Sequence, residues 1–236
     1  MRAVSCDLSS LNDKQVFVIA IGCDLARGVA DGAERLGAKV ARIGEDLDLS
    51  SRESVAAGID AAVMEHGMPE LVALSIVSEA AMRPVAIAEA PEADWRAAAM
   101  EDLRTTVRVL QALGPHLKAK GGAVVFVAPS LSLVGTPGLV ALTTLLEGQR
   151  GLMKSVARQW GGAGVTLNWI AAAPRALAPF ADVVLASRPD AVSVALGHAP
   201  DPATEIAPVL AFLASDAGRA MTGATLMLDG GEWMVP

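Results

Sequence analysis

The chain has 236 residues, of which 53% are hydrophobic and 19% charged, with a formal net charge of -7 and a pI near 5.0. With no run of Lys/Arg, this acidic balance argues against nucleic acid and anionic membrane as partners. The length fits one large domain, and the apolar excess over an ordinary globular chain, much of it alanine, is enough to line subunit interfaces as well as a core.

The N-terminal MRAVSCDLSSLNDKQ lacks the basic-then-apolar pattern of a secretory signal. Val16–Ile21 is a continuous apolar run of strand length and predicts a strand buried on both faces. A helix follows, with Leu25, Val29, Ala33 and Leu36 on one side and Gly37 at its end. Cys6 and Cys23 are the only cysteines. Cys23 falls in a segment expected to be buried, so a disulfide is not expected and a reducing cytoplasm is.

Lys39–Ile43 predicts a second strand, and Arg52–Glu65 a helix facing inward through Val55, Ile59, Ala62 and Val63. Leu71–Val77 reads as another buried strand. Asp94–Leu117 reads as a long helix striped by Trp95, Ala99, Leu103, Val107, Leu110, Leu113 and Leu117. Ala123–Ala128 is a strand. The uncharged stretch from Gly121 to Leu146 is broken by Pro129, Pro137 and several glycines, so it reads as strand, loop and helix start rather than as a membrane span. Leu139–Trp160 is a helix striped by Leu142, Leu145, Leu146, Leu152, Val156 and Trp160. Val165–Ala171 is a strand, Ala203–Leu213 a helix and Thr225–Leu228 a last strand. Alternating helices and fully apolar strands predict a Rossmann-type, doubly wound parallel sheet in a single domain over residues 1–236. The irregular Ala172–Pro202, rich in Pro and Ala, would form a flap over the crevice at the carboxyl ends of the strands.

The run Phe212-Leu213-Ala214-Ser215-Asp216, then Met221-Thr222-Gly223-Ala224-Thr225-Leu226, then Leu228-Asp229-Gly230-Gly231 closely resembles the end of short-chain dehydrogenases/reductases. Gly151-Leu152-Met153-Lys154-Ser155-Val156-Ala157, Asn168, Gly37-Ala38-Lys39-Val40 and Leu133-Val134-Gly135-Thr136-Pro137-Gly138 are similar to the same family, so the resemblance spans about residues 16 to 233. It implies a dinucleotide-binding fold and a Tyr-x-x-x-Lys pair. In such a pair the tyrosine exchanges the substrate proton, and the lysine lowers its pKa and holds the nicotinamide ribose.

This chain contains no tyrosine. Counting back from Gly151, the family's tyrosine and lysine positions are Leu142 and Leu146, and neither can donate a proton or carry charge. The family's serine falls at Pro129, with Ser130 and Ser132 nearby, and its helix asparagine at Asp102. Its Asn-Asn-Ala-Gly reads Leu74-Ser75-Ile76-Val77, and its Pro-Gly beside the nicotinamide reads Ala172-Ala173. The glycines of its pyrophosphate loop fall at Ala20, Asp24 and Ala26, with Gly22 and Gly28 out of register. Asp24, placed as a helix N-cap, would occupy the anion site itself and repel a diphosphate. The acidic position after the second strand reads Gly44, with Glu45 and Asp46 next. The segment from Ile43 to Asp48 is too short for the family's usual helix and strand. Asp48 remains as a remnant of the adenine-side aspartate.

The expectation is therefore a short-chain dehydrogenase frame without its catalytic set: no catalytic residue, no confident cofactor residue and no metal site. His66, His116 and His198 lie far apart and have no metal spacing. In the family, the long helices after the fourth and fifth strands pair across one dimer axis, and the last helix and strand across another. Both regions are intact and apolar here. The resemblance implies a structural, non-catalytic subunit joined to an active paralogue in a heterodimer or heterotetramer. NAD(P) would be bound by that partner, and the substrate would be a secondary alcohol or ketone such as a 3-hydroxyacyl-CoA of the benzylsuccinate type. Two alternatives stand beside it: an enzyme with a rearranged site using Asp102 or a serine near Ser130, and a ligand sensor without turnover.

Overall fold

A computed structural model describes residues 10–22, 25–44, 47–176 and 193–234. The strands are β1 (Gln15–Ile21), β2 (Lys39–Ile43), β3 (Leu71–Ile76), β4 (Gly122–Pro129), β5 (Val165–Ala172) and β6 (Thr225–Leu228). All pairings are parallel, in one sheet of order β2-β1-β3-β4-β5-β6. The helices are α1 (Leu25–Arg35), α2 (Arg52–His66), α3 (Glu92–Trp95), α4 (Glu101–Lys120), α5 (Val140–Trp160) and α6 (Ala207–Leu213). This is the single-domain doubly wound architecture expected from the pattern.

Alternation along each strand sends side chains to two separate cores. Phe17 and Ile19 of β1 join Leu74, Phe126 and Trp169 under α2, α4 and α5, while Val16 and Val18 join Ala73, Val125 and Ile170 under α1 and α6. Phe126 and Trp169 stack with ring centroids 5.6 Å apart. A sheet covered on both faces must be largely apolar on both, which is why its inner strands read as hydrophobic runs with few polar residues.

The α3–α4 region departs from the expected stripe. A π turn, Arg96–Met100, joins the two helices. Past it the buried face of α4 runs through Asp102, Thr105, Thr106, Val109, Leu110 and Leu113, while Leu103 and Val107 are half-buried. The extra residue of a π turn shifts the phase that a 3.6-residue period assumes. The stripe of α5 is corrected as well: Gln149 and Met153 are buried and Leu152 is only partly so. No helix or strand is described between β2 and α2, in keeping with the short segment, and β2 lies at one margin of the sheet.

The two outer strands differ. β2 carries Lys39 and Arg42, which pair with Asp13, Asp31 and Glu34. β6 carries no charge, and all four of its residues are half-buried. No helix among the described residues is long and apolar enough to cross a membrane.

Candidate functional site

The order of strands reverses between β1 and β3, and a ligand of a doubly wound sheet lies outside the carboxyl ends at that point. The walls there are the turn after β1, the Val77–Ser78 segment after β3, the loop after β4 and the start of α5.

Leu142 and Leu146 occupy one face of α5, four residues apart, and both have no exposed surface. They belong to the same packed cluster as Ala81, Met82, Leu131, Leu139 and Leu145. The segment after β3 closes over this end of α5: Val85 bridges to Leu139, and the Val85 N–H donates to the Gly138 carbonyl at 2.8 Å. Hydrocarbon therefore fills the place at which the family resemblance positions a phenol and an ammonium.

Pro129 is the last residue of β4 rather than part of the following loop. Ser130, which opens the next turn, is fully buried. Its hydroxyl and those of Ser132 and Thr136 have no hydrogen-bond partner among the described residues. Ala172 and Ala173, at the end of β5, are buried without a polar side chain. Of the expected flap, residues 177–192 lie outside the described residues.

Asp102, at the family's helix-asparagine position, is buried and tied into the wall. Its Oδ2 accepts the Ser78 backbone N–H at 2.7 Å. Burial pushes its carboxyl up from the ordinary value, against the opposing pull of hydrogen bonds from the Ser78 N–H and hydroxyl. The Thr106 hydroxyl donates to the Asp102 carbonyl at 2.8 Å. Gln149 Nε2 donates both to the Thr106 hydroxyl at 2.8 Å and to the Ile76 carbonyl at 2.9 Å. This buried network joins α4, α5 and the end of β3. Sequence reasoning missed Gln149 and Ser78. The signal was available for Gln149, because it follows Leu142 by seven residues and Leu146 by three, on the same helical face.

The cofactor end has the following geometry. Ala20 is a half-buried residue of β1. Gly22 has φ +83, and a Cβ there would lie 2.1 Å from the Val77 carbonyl oxygen, so the turn after β1 rests directly on the segment after β3. Cys6, Cys23, Asp24, Glu45 and Asp46 lie outside the described residues, as does the Ala26 side chain.

Gly28 and Gly32 form a packing face. A Cβ at Gly28 would lie 2.7 Å from Pro202 Cβ, and one at Gly32 would lie 2.5 Å from Ala207 Cβ. Gly28 thus works between α1 and the start of α6 rather than at a phosphate.

Asp48 is exposed, and its Oδ1 accepts the Ser50 N–H at 2.9 Å. The Ser50 side chain and backbone N–H, with the Ser54 hydroxyl, hold its carboxyl below the ordinary range. Asp48 thus serves the start of α2, where Ser51 and Ser54 form a reciprocal cap. Asn168 is also structural: its Nδ2 donates to the Met221 carbonyl, and its Oδ1 accepts the Ala224 N–H.

The histidines are not brought together. His116 bonds Asp60 at 2.7 Å, His198 bonds Glu205 at 3.0 Å, and His66 lies 3.8 Å from Glu65. No group of three or more His, Cys, Asp or Glu suited to a metal occurs among the described residues.

The residues at the catalytic end do not fit a nicotinamide ribose. Leu146 offers it no donor, and no cationic or phenolic side chain replaces the missing pair on that face of α5.

Comparison with known proteins agrees with the frame. Residues 9–232 match the family model described as enoyl-(acyl carrier protein) reductase. D-threitol dehydrogenase of Mycolicibacterium smegmatis is 33% identical over 230 residues, covering 86% of this chain and 79% of that protein. The 3-oxoacyl-[acyl-carrier-protein] reductase FabG of Pseudomonas aeruginosa is 30% identical over 219 residues, covering 87% and 84%. In fold, the chain is similar to the Brucella melitensis 3-ketoacyl-(acyl-carrier-protein) reductase solved with NADH. That match has a TM-score of 0.79 at 21% identity and covers 94% of this chain and 99% of the other.

Proposed function

The chain belongs to the short-chain dehydrogenase/reductase family, and from that premise we propose that it is a non-catalytic structural subunit. Its partner would be an active, tyrosine-bearing relative, and the mixed complex would interconvert a secondary alcohol and a ketone. NAD(P), held by the partner, would supply or take up the hydride. The relatives named as dehydrogenases and as 3-oxoacyl reductases support the reaction class, and a 3-hydroxyacyl thioester such as a benzylsuccinate-type acyl-CoA fits it.

One observation carries this reading: Leu142 and Leu146 are sealed inside the core. Hydride exchange at an alcohol carbon requires a proton to leave or reach the oxygen at the same time. A titratable hydroxyl with a nearby cation does this in the family. A pair of leucines cannot, and the buried acid Asp102 is held by the Ser78 N–H.

Native mass spectrometry of the complex purified from its source organism tests the proposal. A second chain bearing the tyrosine is expected to co-purify. Titration of the isolated chain with NADH, followed by fluorescence, is expected to show no turnover of a ketone. Turnover at ordinary rates by the isolated chain would end this reading.

The buried, unpartnered Ser130 hydroxyl favours a second reading, a rearranged oxidoreductase site using Ser130 and Asp102. It requires turnover by the isolated chain that is lost in Ser130→Ala. The sensor reading requires ligand binding by the isolated chain without turnover.

A further inference from the structure

We infer that the cavity at the amino ends of β3, β4 and β5 binds a phosphate group between the ammoniums of Lys14 and Lys120. It lies at the opposite end of the sheet from the crevice, so it goes beyond the non-catalytic reading and stands or falls separately from it.

The cavity has a volume of about 150 Å³ and opens between Lys14, Glu70, Lys120 and Arg219. Its floor is nearly bare backbone. Gly121, Gly122 and Gly164 all have positive φ, and Ala123, Ala163 and Ala214 add only methyl groups. A Cβ at Gly122 would lie 3.0 Å from the Glu70 carbonyl oxygen, so the start of β4 lies directly against the residue that carries the acid. The N–H groups of Gly121, Gly122 and Ala123 already donate to the Leu117, Gly164 and Glu70 carbonyls. Recognition of a ligand therefore falls to the side chains.

Charge identifies the ligand. Lys14 lies 4.0 Å from one carboxylate oxygen of Glu70, and Lys120 lies 3.9 Å from the other. Both contacts are at the outer limit of an ion pair and too long for a hydrogen bond. The same carboxylate accepts the Gln15 N–H at 3.3 Å. Glu70 is the only acid lining the cavity among the described residues, so two ammoniums share one carboxylate and one positive charge is left over. At the rim, Arg219 pairs with Asp216 at 3.1 Å, an exposed pair that solvent weakens. The free carbonyls at the end of α4 account for a cation at Lys120. They do not account for Lys14, which lies on no helix. In a chain of net charge -7, this is a positive recess around one weakly held carboxylate. Two point charges on flexible stems suit a dianionic phosphate, whose several oxygens can meet both at hydrogen-bond distance in place of Glu70.

Isothermal titration calorimetry of the full chain with inorganic phosphate, at pH 8 and low salt, is the test. Binding in the millimolar range is expected. Lys14→Ala and Lys120→Ala should each weaken it about tenfold or more. Circular dichroism checks that each variant folds, and either one alone suffices if the other does not. Glu70→Gln removes the competing carboxylate and should tighten binding severalfold, which a merely structural carboxylate would not do. Lys118→Ala alters the net charge equally, from the same end of α4 but outside the cavity, and should leave binding unchanged. Acetate, with a single charge, should bind at least about tenfold more weakly than phosphate. The inference is overturned by absence of binding to the parent chain, by weaker binding in Glu70→Gln, or by a loss in Lys118→Ala equal to that in Lys14→Ala and Lys120→Ala. Acetate binding as tightly as phosphate overturns it as well.

Discussion

Gln149 of α5 donates a hydrogen bond to the Ile76 carbonyl at the end of β3, 2.9 Å away and 73 positions apart in the chain. It shares the same amide nitrogen with Thr106 of α4. One side chain thus fixes three elements around the end of the crevice, one turn beyond Leu146.

Gln149→Leu should therefore be costly. It leaves the Ile76 carbonyl without this partner in the buried core, and an orphaned buried group costs about 1–3 kcal/mol. Urea unfolding should show that loss as a lower midpoint with an unchanged slope. Thr106→Val should cost less, because Gln149 keeps its bond to Ile76.

Leu146→Lys places an ammonium where no surface is exposed. A loss of about 3 kcal/mol or more is expected at neutral pH. Burial depresses a lysine pKa, so the loss should deepen as pH falls and ease as pH rises. Thermal unfolding between pH 6 and pH 10, against the parent chain, reads both sign and size.

Asp102 gives the opposite pH signature from a salt-bridged carboxylate. Its folded-state pKa lies above the ordinary value of 3.8, so the folded chain holds the proton more tightly than the unfolded one. Stability falls as pH rises from 3.8 through the folded value, and the deficit persists above it. Asp102→Asn keeps an acceptor for the Ser78 N–H without the charge. It should flatten this part of the stability–pH curve and match or exceed the parent chain at neutral pH. A curve that keeps the parent's slope in the variant would show that other groups set it.

His198 shifts stability with pH in the same direction as Asp102, here through its cationic form. Its pKa is raised by the Glu205 carboxylate and the Leu196 carbonyl, so its favourable contribution is present below the unfolded value and lost as pH rises through the folded one. Glu205→Gln should lower the His198 pKa toward 6.5 in an NMR titration, with little change in the fold because the pair is exposed.

Gly22→Ala should destabilise the chain by about 2 kcal/mol or more. The site needs φ +83, and the new methyl would lie 2.1 Å from the Val77 oxygen. Denaturant unfolding measures it.

Much of this architecture was readable in advance because both sheet faces are buried. Val16–Ile21 has no polar interruption and Leu71–Ile76 only Ser75, and the strand limits fall within a residue or two of those expected. The absence of a phenol was equally plain, since the chain holds no tyrosine.

The phase of α4 was not readable, because the π turn at Arg96–Met100 adds a residue that hydropathy cannot register. The role of Gln149 was hidden for a different reason. Its partner Ile76 offers a backbone carbonyl, and backbone groups leave no mark in a sequence. Gly28 resembled a displaced loop glycine, and only Pro202, 174 positions later in the chain, reveals what it touches.

The pair Gly28 and Gly32 has one more consequence. With no methyl between them and Pro202, Ala203 and Ala207, the first helix and the last are joined backbone to backbone, without slack. The contact fixes the spacing between them at two successive turns of α1. A side chain added at either glycine would therefore have to push one of these two segments off the other.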